Sequence, residues 1–250
     1  MDKNTFGKYS DYYDLLYSDK DYPSEVSYIK TKLSLHSPEA INLLELGCGT
    51  GKHATLLAHS GYKVHGIDAS TEMISLANQE PGFTCESADI RFARMGRKYD
   101  AVLALFHVLN YLPDDQSVMA VFETAKFHLE VGGVLYFDSW NSECVNHLRP
   151  ETRIKVVSNE KIQVTRIAEP VIISDENIVK VKYTFFILAK ETGEISTFSE
   201  THTIRHFSTP ELRFFGRLNG FHLVSGEEFL TSKPLSLRTW SAFYVFRRVA

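Results

Sequence analysis

The sequence predicts a doubly wound α/β domain carrying an inserted antiparallel sheet, and three observations lead there. From Asn42 onward, short apolar runs alternate with segments of helical period, the pattern of βαβ units around a parallel sheet. A glycine-rich loop, Gly47-Cys48-Gly49-Thr50-Gly51, stands where the first such strand gives way to a helix. Between Arg153 and Phe207 the apolar period becomes two, which is the period of half-buried strands. With 250 residues, 44% of them hydrophobic, the chain has room for one large core plus an addition.

Each element has its own justification. Tyr9 to Tyr22 reads as a mobile or capping segment, after which Pro23 and Glu25 open a helix with Val26, Ile29 and Leu33 inward. Ile41 to Leu46 is the first strand, and Thr50 to Ser60 a helix whose Ala54, Leu57 and Ala58 share a face. Tyr62 to Ile67 is the second strand. Ser70 caps a helix with Met73, Ile74 and Ala77 inward, and Phe83 begins the third strand. Tyr99 to Leu105 is a buried fourth strand. After Asp114, residues Val118, Val121, Phe122, Ala125 and Leu129 recur at helical spacing, and Gly132-Gly133 turns the chain into a fifth strand, VLYFDSW.

In the insertion, Val179, Val181, Tyr183, Phe185 and Ile187 alternate with Lys180, Lys182 and Thr184. The core resumes at Thr209-Pro210-Glu211, where a capping threonine, a proline in the first turn and an early acid open a helix. Leu212, Phe215 and Leu218 are its apolar face, Asn219-Gly220 ends it, and Phe221 to Phe229 and Ser241 to Phe246 close the sheet. The expected organisation is a core of residues 1–152 and 208–250 with an antiparallel β subdomain at 153–207.

Composition narrows the function classes. A net charge of −4 and a pI near 6.2 speak against extensive nucleic-acid contact, which rests on neutralising phosphates with Lys and Arg. Neither a run of about 18 apolar residues nor a signal core at the N-terminus is present, so membrane attachment is not expected and the cytoplasm is the expected compartment. Cys48, Cys85 and Cys144 lack the spacing of a zinc site and read as packing residues of a reducing compartment. Glu200, His202 and His206 fall at period two on a predicted strand, a weak metal pattern; no metal is expected.

The chemistry concentrates around ELGCGTG, residues 45–51. Gly47, Gly49 and Gly51 permit a tight turn and close approach of a ligand to the backbone, but the third glycine comes one residue earlier than in the dinucleotide pattern G-x-G-x-x-G. Glu45, at the strand end, can serve an ammonium group through a charge-assisted hydrogen bond or water. NAD has no such group; the methionine part of S-adenosylmethionine does. Asp68 ends the second strand, where an acid can accept both hydroxyls of a ribose, and Asp89-Ile90 follow the third, where an acid and its neighbouring backbone can read an adenine amino group.

On these residues the chain resembles the class I S-adenosylmethionine-dependent methyltransferases. The resemblance implies a Rossmann-like seven-stranded, mostly parallel sheet with its last strand antiparallel, S-adenosylmethionine as cofactor, S-adenosylhomocysteine as product, and a cofactor site that also includes Tyr13, Ala69, Met73 and Leu105. Tyr9, the Tyr12-Tyr13-Asp14 cluster, the inserted sheet and Arg238 are further similar to the N-methyltransferases of nucleotide-linked aminosugars. That implies a small-molecule acceptor, a nucleotide sugar foremost, with a homodimer left open. His107, just beyond the fourth strand, is the first candidate proton acceptor, with hydrogen bonding to the backbone or lining of the cofactor as its alternatives. In the sugar enzymes a site histidine falls a few residues later, where this chain has Tyr111, which is expected to position the acceptor.

Tyr9 and Tyr13 are expected to fold over the sulfonium, Trp140 to wall the acceptor pocket, and Arg238, near Lys233, to grip a diphosphate. Three alternatives stay open: methylation of another small amine, natural product or nucleic-acid base; binding of S-adenosylmethionine without catalysis; and an NAD-dependent oxidoreductase, disfavoured by the glycine spacing and Glu45.

Overall fold

The structure, a computed structural model, describes residues 8–250; part of the N-terminal stretch read above for a signal lies outside them. Seven strands form the main sheet in the order β10-β11-β5-β4-β1-β2-β3. β1 (Asn42–Leu46), β2 (Lys63–Asp68), β3 (Phe83–Ser87), β4 (Tyr99–Ala104) and β5 (Leu129–Trp140) pair in parallel. β11 (Ser241–Arg248) runs antiparallel between β5 and β10 (Phe221–Glu228). The sheet is Rossmann-like and mostly parallel, as the resemblance implies. Its central strands are buried on both faces, and Leu43, Leu44, Ala101, Val102, Leu103 and Leu135 are fully inaccessible.

Two layers of helices cover it. α2 (Tyr22–His36), capped by Asp21, and α3 (Lys52–His59) bury Ile29, Leu33, Ala54 and Leu57 on one face. α5 (Asp115–His128) and α7 (Thr209–Leu218) bury Val118, Val121, Phe122, Leu212 and Phe215 on the other. α4 (Thr71–Leu76) begins at Ser70, whose hydroxyl accepts the Met73 amide as expected.

α7 corrects the expected cap. Ser208, not Thr209, accepts the Glu211 amide, and the Glu211 carboxylate accepts the Ser208 amide in return. The glycine pair differs too: Gly132 and Gly133 lie inside β5, where pairing jumps from Tyr99–Leu129 to Ala101–Val134, so they make a bulge in the strand and no turn before it.

The second sheet, β6 (Arg153–Ser158), β7 (Ile162–Ile173), β8 (Ile178–Ala189) and β9 (Ile195–Arg205), is antiparallel throughout. The segment read as mobile or capping contains a helix, α1 (Ser10–Leu16). Tyr9 and Leu16 pack with Val164, Phe185 and Ile187 of the inserted sheet. Short and polar, α1 has no period that reveals it; it is held by aromatic partners more than 140 residues away in sequence, including the Phe185 ring 5.3 Å from Tyr9. α6 (Ser142–Leu148) links the two sheets and sets Val145 against Val179 and Val181.

Candidate active site

The carboxyl ends of β1 to β4 open into a cavity of about 730 Å³, a size ordinary for a small-molecule site, at the edge where open α/β sheets bind ligands. The glycine loop forms its floor. The Gly47 and Cys48 amides both donate to the Ile67 carbonyl, at 2.7 and 3.0 Å, folding the loop onto β2. Gly51, at φ +80°, packs so closely on Phe83 that a Cβ there would lie 2.4 Å from the ring, whereas a Cβ on Gly49, at φ +55°, would meet nothing among the described residues within 4 Å beyond its chain neighbours. Gly51 is therefore required by packing, and Gly49 presents bare backbone to open space that a ligand can fill.

Asp68 joins that loop to β2. Its carboxylate accepts the Gly49 and Ser70 amides at 2.9 Å each. Burial raises its pKa, and amides of Ser70, Gly49 and Ala69 oppose the rise. Asp89 is gripped by Arg91, whose Nε lies 3.0 and 3.1 Å from the two carboxylate oxygens, and this contact holds the Asp89 carboxyl below the ordinary carboxylate range.

Glu45 lies beneath the loop at 1% exposure. One carboxyl oxygen is 4.0 Å from His53 Nδ1, and His53 Nε2 is 2.7 Å from Glu25. The other oxygen, Oε2, is buried with no hydrogen-bond partner among the described residues. Burial, with the Asp68 charge adding to it, pushes the Glu45 carboxyl up to about 8. An acid left in that condition suits a cationic ligand group that would restore its charge.

Beyond β4 the chain enters two consecutive left-handed residues, Phe106 at φ +67° and His107 at φ +64°. Such conformations cost on the order of 1 kcal/mol or more each and need surrounding structure to hold them. Asp138, an acid within the apolar strand β5 and 1% exposed, supplies the hold. The His107 amide donates to both of its oxygens at 3.2 Å, and Nδ1 of the ring lies 2.8 Å from Oδ2. Burial favours the neutral Asp138 acid, but the charge and hydrogen bonds of His107 outweigh it and keep the pKa low.

The opposite wall comes from the N-terminal arm. Thr50 donates its hydroxyl to Asp14 at 2.9 Å, and Lys52 Nζ lies 2.8 Å from the same carboxylate, so Asp14 ties α1 to the glycine loop. Tyr13 thereby lines the cavity, as do Tyr22 and Phe106, and the Tyr17 ring stands edge-on to Phe106 at 5.1 Å. Burial drives the Tyr13 and Tyr111 phenols well above their ordinary range, so both remain protonated and polar near neutral pH.

Of the residues singled out from the sequence, Tyr13, Gly47, Gly49, Asp68, Ala69, Met73, Asp89, Leu105 and Tyr111 come together around this cavity. Glu45 lies below it, Gly51 packs on Phe83, and Ile90 belongs to the apolar core. Tyr9 does not reach the lining: it is 2% exposed, and its hydroxyl contacts Tyr17 at 3.0 Å and Arg166 at 3.1 Å. His107 and Trp140 stand just outside, with their rings 6.5 Å apart, and Arg238 is exposed between β10 and β11. His206 bonds Ser142 at 2.8 Å, while His202 bonds Tyr111 at 3.3 Å. Asp138, Arg166 and Tyr17 escaped the sequence reading; for Asp138 the available signal was a charge directly after the apolar run Val134–Phe137 of β5.

The Gly49 opening, the Asp68 carboxylate and the orphaned Glu45 oxygen together fit a nucleoside that carries a ribose and an ammonium group. Residues 18–211 match a family described as a methyltransferase domain. The dTDP-3-amino-3,4,6-trideoxy-alpha-D-glucopyranose N,N-dimethyltransferase of Streptomyces venezuelae is 30% identical over 212 residues, 81% of this chain and 85% of the relative. The crystal structure of Streptomyces venezuelae DesVI superposes with a TM-score of 0.82 at 26% identity, covering 96% of this chain and 98% of that one. A sugar N-methyltransferase from Streptoalloteichus, KedS8, has the same fold, with a TM-score of 0.81 at 23% identity over 95% and 93% of the two chains.

Proposed function

This chain belongs to the methyltransferase-domain family and is an S-adenosylmethionine-dependent enzyme, and from that premise we propose that it methylates the amino group of a deoxysugar carried on a nucleotide diphosphate. The observation that carries this reading is the likeness to an aminosugar N,N-dimethyltransferase over most of both chains. Bound S-adenosylmethionine supplies a methyl group on a cationic sulfur, a leaving group that needs no acid. The remaining work is orientation and exclusion of water, to which alignment can contribute about 7 to 11 kcal/mol.

In this reading Glu45 faces the ammonium, Asp68 takes the ribose hydroxyls, and Asp89 with the Ile90 backbone reads the adenine, the Ile90 side chain staying in the core. Gly47 and Gly49 let the ligand lie against the backbone, and Ala69, Met73 and Leu105 pack around it. Tyr13 and Tyr111 close the reacting end, with Tyr9 supporting them from behind. His107, oriented by Asp138, receives the proton that the methylated ammonium gives up.

A line of contacts supports the acceptor's path: Arg238 lies two residues from Trp240, whose ring is 5.4 Å from Trp140, and Trp140 is 6.5 Å from His107. A diphosphate on Arg238 and Lys233 would leave the sugar against Trp140 and its amine near His107 and Tyr111, with residues 153–207 forming the far wall. We place the enzyme in the cytoplasm, consistent with three buried free cysteines. No helix among the described residues is long and apolar enough to cross a membrane.

The test is methyl transfer from labelled donor to a panel of dTDP-aminosugars, free aminosugars and simple amines. Label should enter the nucleotide-linked amines in preference. Equal transfer to free amines, or transfer only to hydroxylated sugars, would reject the substrate assignment.

Cofactor binding should also release a proton. With its carboxyl near 8, Glu45 is mostly protonated at pH 7, and a cationic group beside it favours the charged form. Calorimetry at pH 7 in buffers of different ionisation enthalpy should therefore show proton release that fades above pH 8 and is absent in Glu45→Gln. Proton uptake, or the same release in the variant, would remove Glu45 from this role.

A further inference from the structure

Tyr111 lines the cavity, yet its hydroxyl engages a histidine on the inserted sheet. Tyr111 Oη lies 3.3 Å from His202 Nδ1, and His202 Nε2 lies 3.4 Å from Glu200 Oε2. The other Glu200 oxygen accepts the Tyr9 amide at 3.1 Å. His202 is 1% exposed, enclosed by the rings of Tyr9, Tyr111 and Tyr183 at 5.3, 5.8 and 4.9 Å. Burial, and then the Arg166 charge, lower its pKa to about 4, so the ring is neutral under ordinary conditions.

A neutral imidazole has one N–H and one lone pair, and a carboxylate only accepts. With Glu200 facing Nε2, the ring proton belongs on Nε2 and the lone pair on Nδ1. The Tyr111 hydroxyl must then donate to Nδ1.

We propose that His202 is a positioning residue that draws the Tyr111 hydroxyl proton away from the cavity, so that the phenol oxygen accepts a hydrogen bond from the N–H of the amine being methylated. The inference rests on the amino-acceptor reading above. Its physical content is direction: an amine pinned through its N–H has its lone pair aimed, and aim is what an in-line displacement rewards. The nitrogen lone pair forms the new N–C bond, the C–S pair departs with sulfur, and the resulting ammonium loses its proton afterwards. Neither Tyr111 nor His202 changes protonation state.

Two measurements test this. In protein labelled with 15N-histidine, His202 should be the Nε2–H tautomer, with an Nδ1 resonance that moves in Tyr111→Phe; an Nδ1–H tautomer, or an unmoved resonance, would overturn the proposal. In kinetics with a dTDP-aminosugar, His202→Phe should lower kcat about tenfold, the weight of one neutral hydrogen bond, with cofactor affinity unchanged. His202→Asn, which retains an accepting oxygen, should recover most of that loss, and in a Tyr111→Phe background His202→Phe should have no further effect. Additive losses in the two backgrounds, or a loss of cofactor affinity, would assign His202 a merely structural role. If the wild-type enzyme leaves dTDP-aminosugars unmethylated, the substrate reading falls, and the nitrogen spectra still decide the hydrogen bond on which this proposal stands.

Discussion

Gly49→Val should give a folded protein that no longer binds S-adenosylhomocysteine measurably. A Cβ at Gly49 meets no atom of the described residues within 4 Å beyond its chain neighbours, so packing does not oppose the substituent at its Cβ. It does occupy the space above the loop where the ligand must lie against the backbone. The cost to the fold is a β-branched residue at φ +55°, about 1 to 3 kcal/mol, which a chain of this size can absorb. Gly51 behaves in the opposite way, because a side chain there would press on the buried Phe83 ring and damage packing before binding. Calorimetry and a thermal melt of Gly49→Val separate the two effects. Retained affinity would show that the cavity floor is not the cofactor site.

The second large effect is expected from Asp68→Ala, with cofactor affinity falling by roughly 100-fold or more. Hydrogen bonds to a charged group contribute about 1.5 to 3 kcal/mol each, and tenfold in affinity corresponds to about 1.4 kcal/mol. The carboxylate also holds the Gly49 amide at 2.9 Å, so its removal loosens the loop. Stability should change little. The Gly49 and Ser70 amides lose their carboxylate partner, but a buried carboxylate whose ionisation the site resists is also removed. Asp68→Asn keeps an oxygen for an amide and loses the charge, and should fall between wild type and Asp68→Ala. Unchanged affinity in both variants would exclude Asp68 from ribose binding.

What the sequence discloses follows the range of the interactions. The strand-loop-helix around ELGCGTG, with Asp68 one strand later, is written in local pattern: apolar runs, glycines in a turn and an acid at a strand end. Of those residues, Gly47, Gly49 and Asp68 line the cavity, with Glu45 buried beneath it. Partnerships that cross between elements left no such mark. The Asp138 side chain fixes the His107 backbone from 31 residues away, Tyr111 meets His202 across 91, and Arg166 meets Tyr9 across 157. No period or spacing links those pairs, because each is created by strand order and by the folding of the inserted sheet onto α1. The bulge at Gly132-Gly133 is of the same kind, since a glycine pair reads equally as a turn until the register with β4 is known.

The measurement that bears most directly on the central claim is a calorimetric titration of the purified protein with S-adenosylmethionine, S-adenosylhomocysteine and NAD. A glycine loop that departs from the dinucleotide pattern, with Glu45 beneath it and Asp68 beside it, predicts saturable binding of both adenosyl ligands and none of NAD. Binding of NAD alone, or of none of the three, would contradict it.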